Sequence, residues 1–202
     1  MSERSDDVIA ATRLWLERAV IGLNLCPFAK PVHVNDRIRY FVSGAHSPAR
    51  LLEDLMAELR ALDAADPALC ETTLLIHPHV LADFVDYNAF LEEADDAVSE
   101  LGLEGVIQVA SFHPRYQFDD AGPDDIENYT NRSPYPMLHL LRESSVERAV
   151  TTYPDTTAIY RKNIETLRRL GHEGWRRLWF AEAPREARRN LEPHHEDTKD
   201  TK

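Results

Sequence analysis

His77 and His79 flank Pro78 at the end of the apolar run Thr72-Thr73-Leu74-Leu75-Ile76, and His113-Pro114 closes a second run, Val106-Ile107-Gln108-Val109-Ala110-Ser111-Phe112. Residues two apart in extended chain point to one side, so the rings of His77 and His79 can share one ion. If both runs are parallel strands of one sheet, His77 and His113 leave the same carboxyl edge, where open α/β sheets bind ligands. His139 and Glu143 lie four apart, and on a helix they share a face as two ligands, as a base and its orienting partner, or as a surface pair. His46, after the first expected strand, is a further imidazole. Nitrogen ligands with an open position suit zinc-activated water or a redox iron. The candidate ligands are therefore His77, His79, His113 and His139, and the candidate ions are zinc and iron. The plainer reading of a His-Pro pair at a strand end is a cap on unpaired carbonyls.

Cys26 is a second kind of candidate, a catalytic thiol, but it closes a helix, where the partial negative charge disfavours a thiolate. A metal or a protonated imidazole beside it would reverse that, and core packing is the plainer role. Asn131 and Arg132 stand in a stretch, 124–136, rich in hydrogen-bonding side chains. They could hold a carboxylate or phosphate, or belong to a loop of Asx-turns and caps. The catalytic candidates are thus Cys26, Asn131, Arg132 and Glu143.

The elements that must position these residues follow from periodicity. Val8, Thr12, Trp15, Ala19, Gly22 and Cys26 make a helical stripe that Pro27 ends. Alternation over 37–42 predicts a strand, and Ser47-Pro48 opens a helix with Leu51, Leu52, Leu55, Met56, Leu59 and Leu62 inward. A strand over 72–76, a helix containing Phe84, Leu91, Ala94, Val98 and Leu101, and a strand near 106–111 complete βαβαβ with right-handed crossovers and parallel pairing. Periodicity is lost over 115–132, a long polar loop. Ser133-Pro134 then repeats the cap-plus-proline signal and predicts a helix with Met137, Leu138, Leu141 and Val146. A last helix over 155–170 stops at Gly171, leaving Trp175, Leu178, Trp179 and Phe180 to dock as a short amphipathic turn. The expected fold class is α/β, a βαβαβ core whose small, mainly parallel sheet is flanked by helices, with the C-terminal helices packed on it. One domain over 1–182 and a disordered polar tail over 183–202 are expected.

Composition narrows the function classes. The 202 residues are 43% hydrophobic, enough for one core. The net charge is −12, and residues 184–202 contribute five basic and five acidic residues, so the excess lies in the body. Duplex nucleic acid, which needs a concentrated positive surface, is not an expected partner. No run approaches the roughly 20 apolar residues of a membrane span, and the first residues lack a basic-then-apolar leader, so no membrane partner and a cytoplasmic address are expected. Two cysteines, Cys26 and Cys70, fit free thiols in that compartment. The expected partner is a small-molecule substrate, and the oligomeric state is not encoded in any legible pattern.

The strings Gly22-Leu23-Asn24-Leu25-Cys26-Pro27-Phe28-Ala29, Ser111-Phe112-His113-Pro114 and 130–143 (Thr130-Asn131-Arg132-Ser133-Pro134-Tyr135-Pro136 onward) together resemble a bacterial family described only as a domain of unknown function. The resemblance covers about residues 5 to 180. It implies no activity and carries over no residue role, but its strings fall on the candidates above. The leading expectation is an enzyme with a His-rich, metal-binding site at the carboxyl edge, acting on a small anionic substrate. The alternatives are a metal-free thiol enzyme using Cys26 and a non-enzymatic module that binds a ligand or a protein.

Overall fold

The computed structural model describes residues 4–152 and 156–180, so the tail expected at 183–202 lies outside the described residues. Strands β1 (Ile38–Val42), β2 (Thr72–Ile76), β3 (Ile107–Phe112) and β4 (Met137–Arg142) form one sheet in the order β1-β2-β4-β3. β1 pairs parallel to β2, and β4 runs antiparallel to both β2 and β3. Three strands therefore point one way, with the fourth inserted between two of them. The class is α/β, as the sequence predicts, but the sheet is mixed, since only the β1–β2 pairing is parallel.

Alternation along the strands divides the core in two. Leu75, Leu138 and Leu140 face α3 (Pro48–Ala64) and α4 (Phe84–Glu100), meeting Leu51, Leu55, Leu59, Tyr87 and Phe90. Leu74, Ile76 and Met137 face the other way, toward Val8 and Trp15 of α1 (Ser5–Trp15), and toward Leu167 and Trp175 of the C-terminal helix. Local chemistry sets the helix starts, at Ser47 as expected. Ser47 accepts from the Arg50 amide with Pro48 at the first helical position, and Asp83 accepts from the Val85 amide at the start of α4.

The helix expected after Ser133-Pro134 is a correction, because that segment forms β4. Ser133 Oγ donates to the Tyr135 carbonyl, and the Pro136 carbonyl accepts from the His77 amide. Met137, Leu138 and Leu140 are fully buried, since the strand is covered on both faces. A near-continuous apolar run fits a two-sided strand as well as a helix, and two open strand edges decide for the strand. His139 therefore sits in mid-strand, paired with Leu74 and Ala110. Glu143 begins α5 (Glu143–Thr152) at the opposite edge of the sheet, its amide donating to the Val106 carbonyl.

The first stripe also ends differently. α1 widens at Trp15 into a π-helical segment, Leu16–Ile21. At Gly22 a Cβ would come within 2.3 Å of the Arg18 carbonyl oxygen, so only glycine fits this exit. Asn24 then turns the chain in the left-handed region, φ 54, ahead of the short α2 (Ala29–Val34), which the periodicity does not announce.

Arg142, at the end of β4, is buried and donates to the carbonyls of Leu62 and Ala65, closing the C-terminus of α3. Arg142→Met leaves those carbonyls without their charged donor and is expected to lower unfolding free energy by about 2–3 kcal/mol. Arg176→Met, whose partner Glu173 is on the surface, is expected to change it by less than about 0.5 kcal/mol. Urea unfolding of both variants checks the difference.

Candidate functional site

The carboxyl edge of β1, β2 and β3 carries two distinct arrangements, one on each side of the sheet. On the α4 side, His77 and His113 both pack against Tyr87, with ring centroids 5.8 and 5.0 Å away. Tyr87 donates its hydroxyl proton to the Met137 carbonyl at 2.8 Å and accepts from the Phe112 amide at 3.1 Å. It thus ties the start of β4 to the end of β3. All three side chains are fully buried.

The partners fix the tautomers of both rings. His77 Nδ1 lies 3.0 Å from the Val80 carbonyl and must donate, which leaves Nε2 as an acceptor, buried and without a partner among the described residues. His113 Nδ1 accepts from the Arg115 amide, so its Nε2 donates to the Leu81 carbonyl. Both rings are held neutral. Burial lowers both pKa values, that of His77 to about 4.

The four imidazoles expected to share a metal lie in three places. The chain turns immediately after His77, so the strand alternation that would align His79 with it is lost, and His79 stacks on His46 at 5.1 Å instead. His139 lies on the opposite face, its Nε2 donating to Thr72 Oγ1 at 2.7 Å while that hydroxyl donates to the Leu140 carbonyl. Burial pushes its pKa down to about 4. Among the described residues no three His, Cys, Asp or Glu side chains gather to hold a metal ion. Glu143, at the far edge, joins none of them.

Cys26 sits beyond the π-helical segment, partly buried in the apolar cluster on the α1 side. Burial raises its thiol pKa, and hydrogen bonds from the Phe28 and Ala29 amides only partly offset this.

On the α1 side the edge is built by the segment 113–136, which joins β3 to β4. Asn128 folds it inward, accepting from the Phe118 amide at 3.0 Å and donating to the Gly122 carbonyl at 2.7 Å. Asn131 extends the end of β3, its carbonyl accepting from the His113 amide and its side chain donating to the Ser111 carbonyl. Arg132 donates from Nε to the Tyr116 carbonyl and from Nη2 to the Pro123 carbonyl, and its guanidinium lies 4.5 Å over the Tyr129 ring. The two expected anion holders are adjacent, but the Asn131 amide is spent on the strand, and Arg132 keeps the Nη1 hydrogens and one Nη2 hydrogen outside these bonds.

Beside Arg132 opens a cleft of about 300 Å³, lined by Trp15, Trp175, Trp179, Tyr129 and Pro134 among others. These are all three tryptophans of the chain. Trp15 Nε1 donates to the Arg132 carbonyl at 2.9 Å. Trp175 and Trp179 come from α6 (Thr156–Phe180), which breaks at Gly171 with φ 64 and ψ 172, a region essentially confined to glycine. The sequence contains each part of this cleft but does not announce the whole. The available signal is that Trp15 lies on a helical stripe and that Trp175 and Trp179 stand four residues apart.

A family model described as Protein of unknown function (DUF1415) matches residues 7–177, and the chain belongs to that family. No curated protein and no solved structure matches the chain.

The buried imidazoles make stability depend on pH. His77 and His139 titrate near 4 in the fold, against about 6.5 when unfolded, so the unfolded chain takes up protons first. Their contribution is complete above about pH 6.5 and falls as pH drops toward about 4, by roughly 2 kcal/mol per ring between about pH 7.5 and pH 5. Urea unfolding at those two pH values is expected to show this loss, smaller by one ring's share in His139→Leu. An equal loss in that variant would refute the assignment.

Proposed function

We propose that this member of the family is a binding module for a small anionic molecule, received in the cleft between segment 113–136, α1 and the end of α6, with Arg132 as its cation. The observation that carries this reading is the gathering of all three tryptophans around Arg132 in one concavity at the carboxyl edge. Its volume is at the lower end of the roughly 300–1,000 Å³ of small-molecule sites, and its walls are mainly apolar with one charged group, as such sites usually are. The π-helical segment that starts after Trp15 adds support, since such widened turns recur at functional sites.

The reading keeps the small anionic molecule expected from Asn131 and Arg132 and changes its surroundings. Among the described residues lining the cleft there is no His, Cys, Asp or Glu. That favours binding over metal or thiol chemistry. Arg132 is held in place by two carbonyls before any ligand arrives, so little ordering remains to be done on binding.

The test is a thermal-shift and calorimetric screen of small carboxylates and phosphates against amines of similar size. Anions are expected to raise the melting temperature and amines are not. Ala11, which lines the cleft from α1 and takes no part in the loop's hydrogen bonds, is the site for a blocking substitution. Ala11→Phe is expected to weaken anion binding by roughly tenfold or more, about 1.4 kcal/mol. Binding that ignores Ala11→Phe, or that favours amines, would overturn the proposal.

A further inference from the structure

The walls of the cleft carry information about the shape of the ligand as well as its charge. We infer that the anion is a planar aromatic acid, one or two fused rings bearing a carboxylate, with the ring against Trp179 at the aromatic corner and the carboxylate at Arg132. This rests on the cleft being the binding site proposed above.

Tyr129 and Trp179 each stand at 73° to Trp175, with centroids 4.9 and 5.6 Å away. The rings form a corner, not a closed stack. Such a corner offers a flat guest both favoured aromatic geometries, an offset face against one wall and an edge toward the next. Trp15, held edge-to-face by Phe112 at 5.4 Å and by its indole N–H, and Trp175 are buried and fix the floor of the corner, so Trp179 and Tyr129 present its accessible ring surface.

Size and charge then narrow the guest. A cavity of about 150 Å³ is enough for benzene, so the 300 Å³ here leaves room for a second ring or for the carboxylate. Aromatic corners of this kind otherwise suit quaternary ammonium groups. Here the guanidinium over Tyr129 occupies the cationic position itself and repels a second cation. An aliphatic acid satisfies Arg132 but loses the ring contacts and has more rotamer freedom to give up.

The matched pair benzoate and cyclohexanecarboxylate tests this by calorimetry on the wild-type protein, with 2-naphthoate as the two-ring probe and the phenyltrimethylammonium ion as the cationic control. The aromatic acids are expected to bind about 3- to 10-fold more tightly than the saturated one, the range that one aromatic contact supplies. In Trp179→Leu that ratio is expected to fall toward one, while Ala11→Phe weakens both acids. If the two acids bind equally and both are weakened by Ala11→Phe, the cleft stands and the aromatic preference is wrong. Tighter binding of the ammonium ion would also overturn it. If no acid binds at all, the reading of the cleft falls and this inference with it.

Discussion

The antiparallel pairing of β4 between β2 and β3 is the constraint on which the rest depends. Met137 is in register with Ile76 on one side and Phe112 on the other, so β4 begins where β2 and β3 end. The connection from β3 to β4 must therefore start and finish at the carboxyl edge, and segment 113–136 has nowhere else to fold. Three core positions of β4 are fully buried, and each such side chain contributes about 1.5–3 kcal/mol. The pairing that builds the edge thus also carries core burial.

A one-residue alternation at the end of β3 gives the two sides of that edge their different characters. Phe112 meets Trp15 on the α1 side, and His113, the next residue, meets Tyr87 on the α4 side. The Tyr87 side is closed: its histidines are buried and neutral, their protons assigned by carbonyl and amide partners, and its phenol seals the join of β3 and β4. The Trp15 side is open, because segment 113–136 spends its polar groups on itself and leaves aromatic faces to line the gap. The buried Tyr87 cluster and the proposed binding cleft thereby stand back to back, with only the sheet between them.

What was legible in the sequence was local. Ser47-Pro48 marks the start of α3, and Gly171 marks the break in the last helix, because each requires a backbone conformation or bond pattern that few residues supply. The common direction of β1, β2 and β3 follows from the helical crossovers between them. β4 was illegible because Met137, Leu138 and Leu140 are good helix formers, and what makes them a strand is two distant edges with which they pair. Misplacing that one element carried His139 and Glu143 onto a shared helical face that does not exist. The π-helical turn was also hidden, since the helical spacing of Trp15 and Ala19 in the stripe continues across it. Of the expectation for Asn131, its position at the edge was legible, while the engagement of its amide with the Ser111 carbonyl was not.

A chain of net charge −12 is an unexpected host for the anion proposed above, and the resolution lies in distance. At physiological salt, screening reduces charge effects beyond about 8 Å, so a ligand in the cleft responds mainly to its immediate lining. Two carboxylates of the loop are already engaged: Asp125 accepts from the Gly122 amide at 2.7 Å, and Glu127 is paired with Arg168. With no Asp or Glu among the described residues of the lining, Arg132 sets the local sign. The acidic exterior does not steer an anion inward, so association gains nothing from the long-range field. Affinity in such a site has to come from contact, a held guanidinium and aromatic walls, and that is what the antiparallel fourth strand places at the edge.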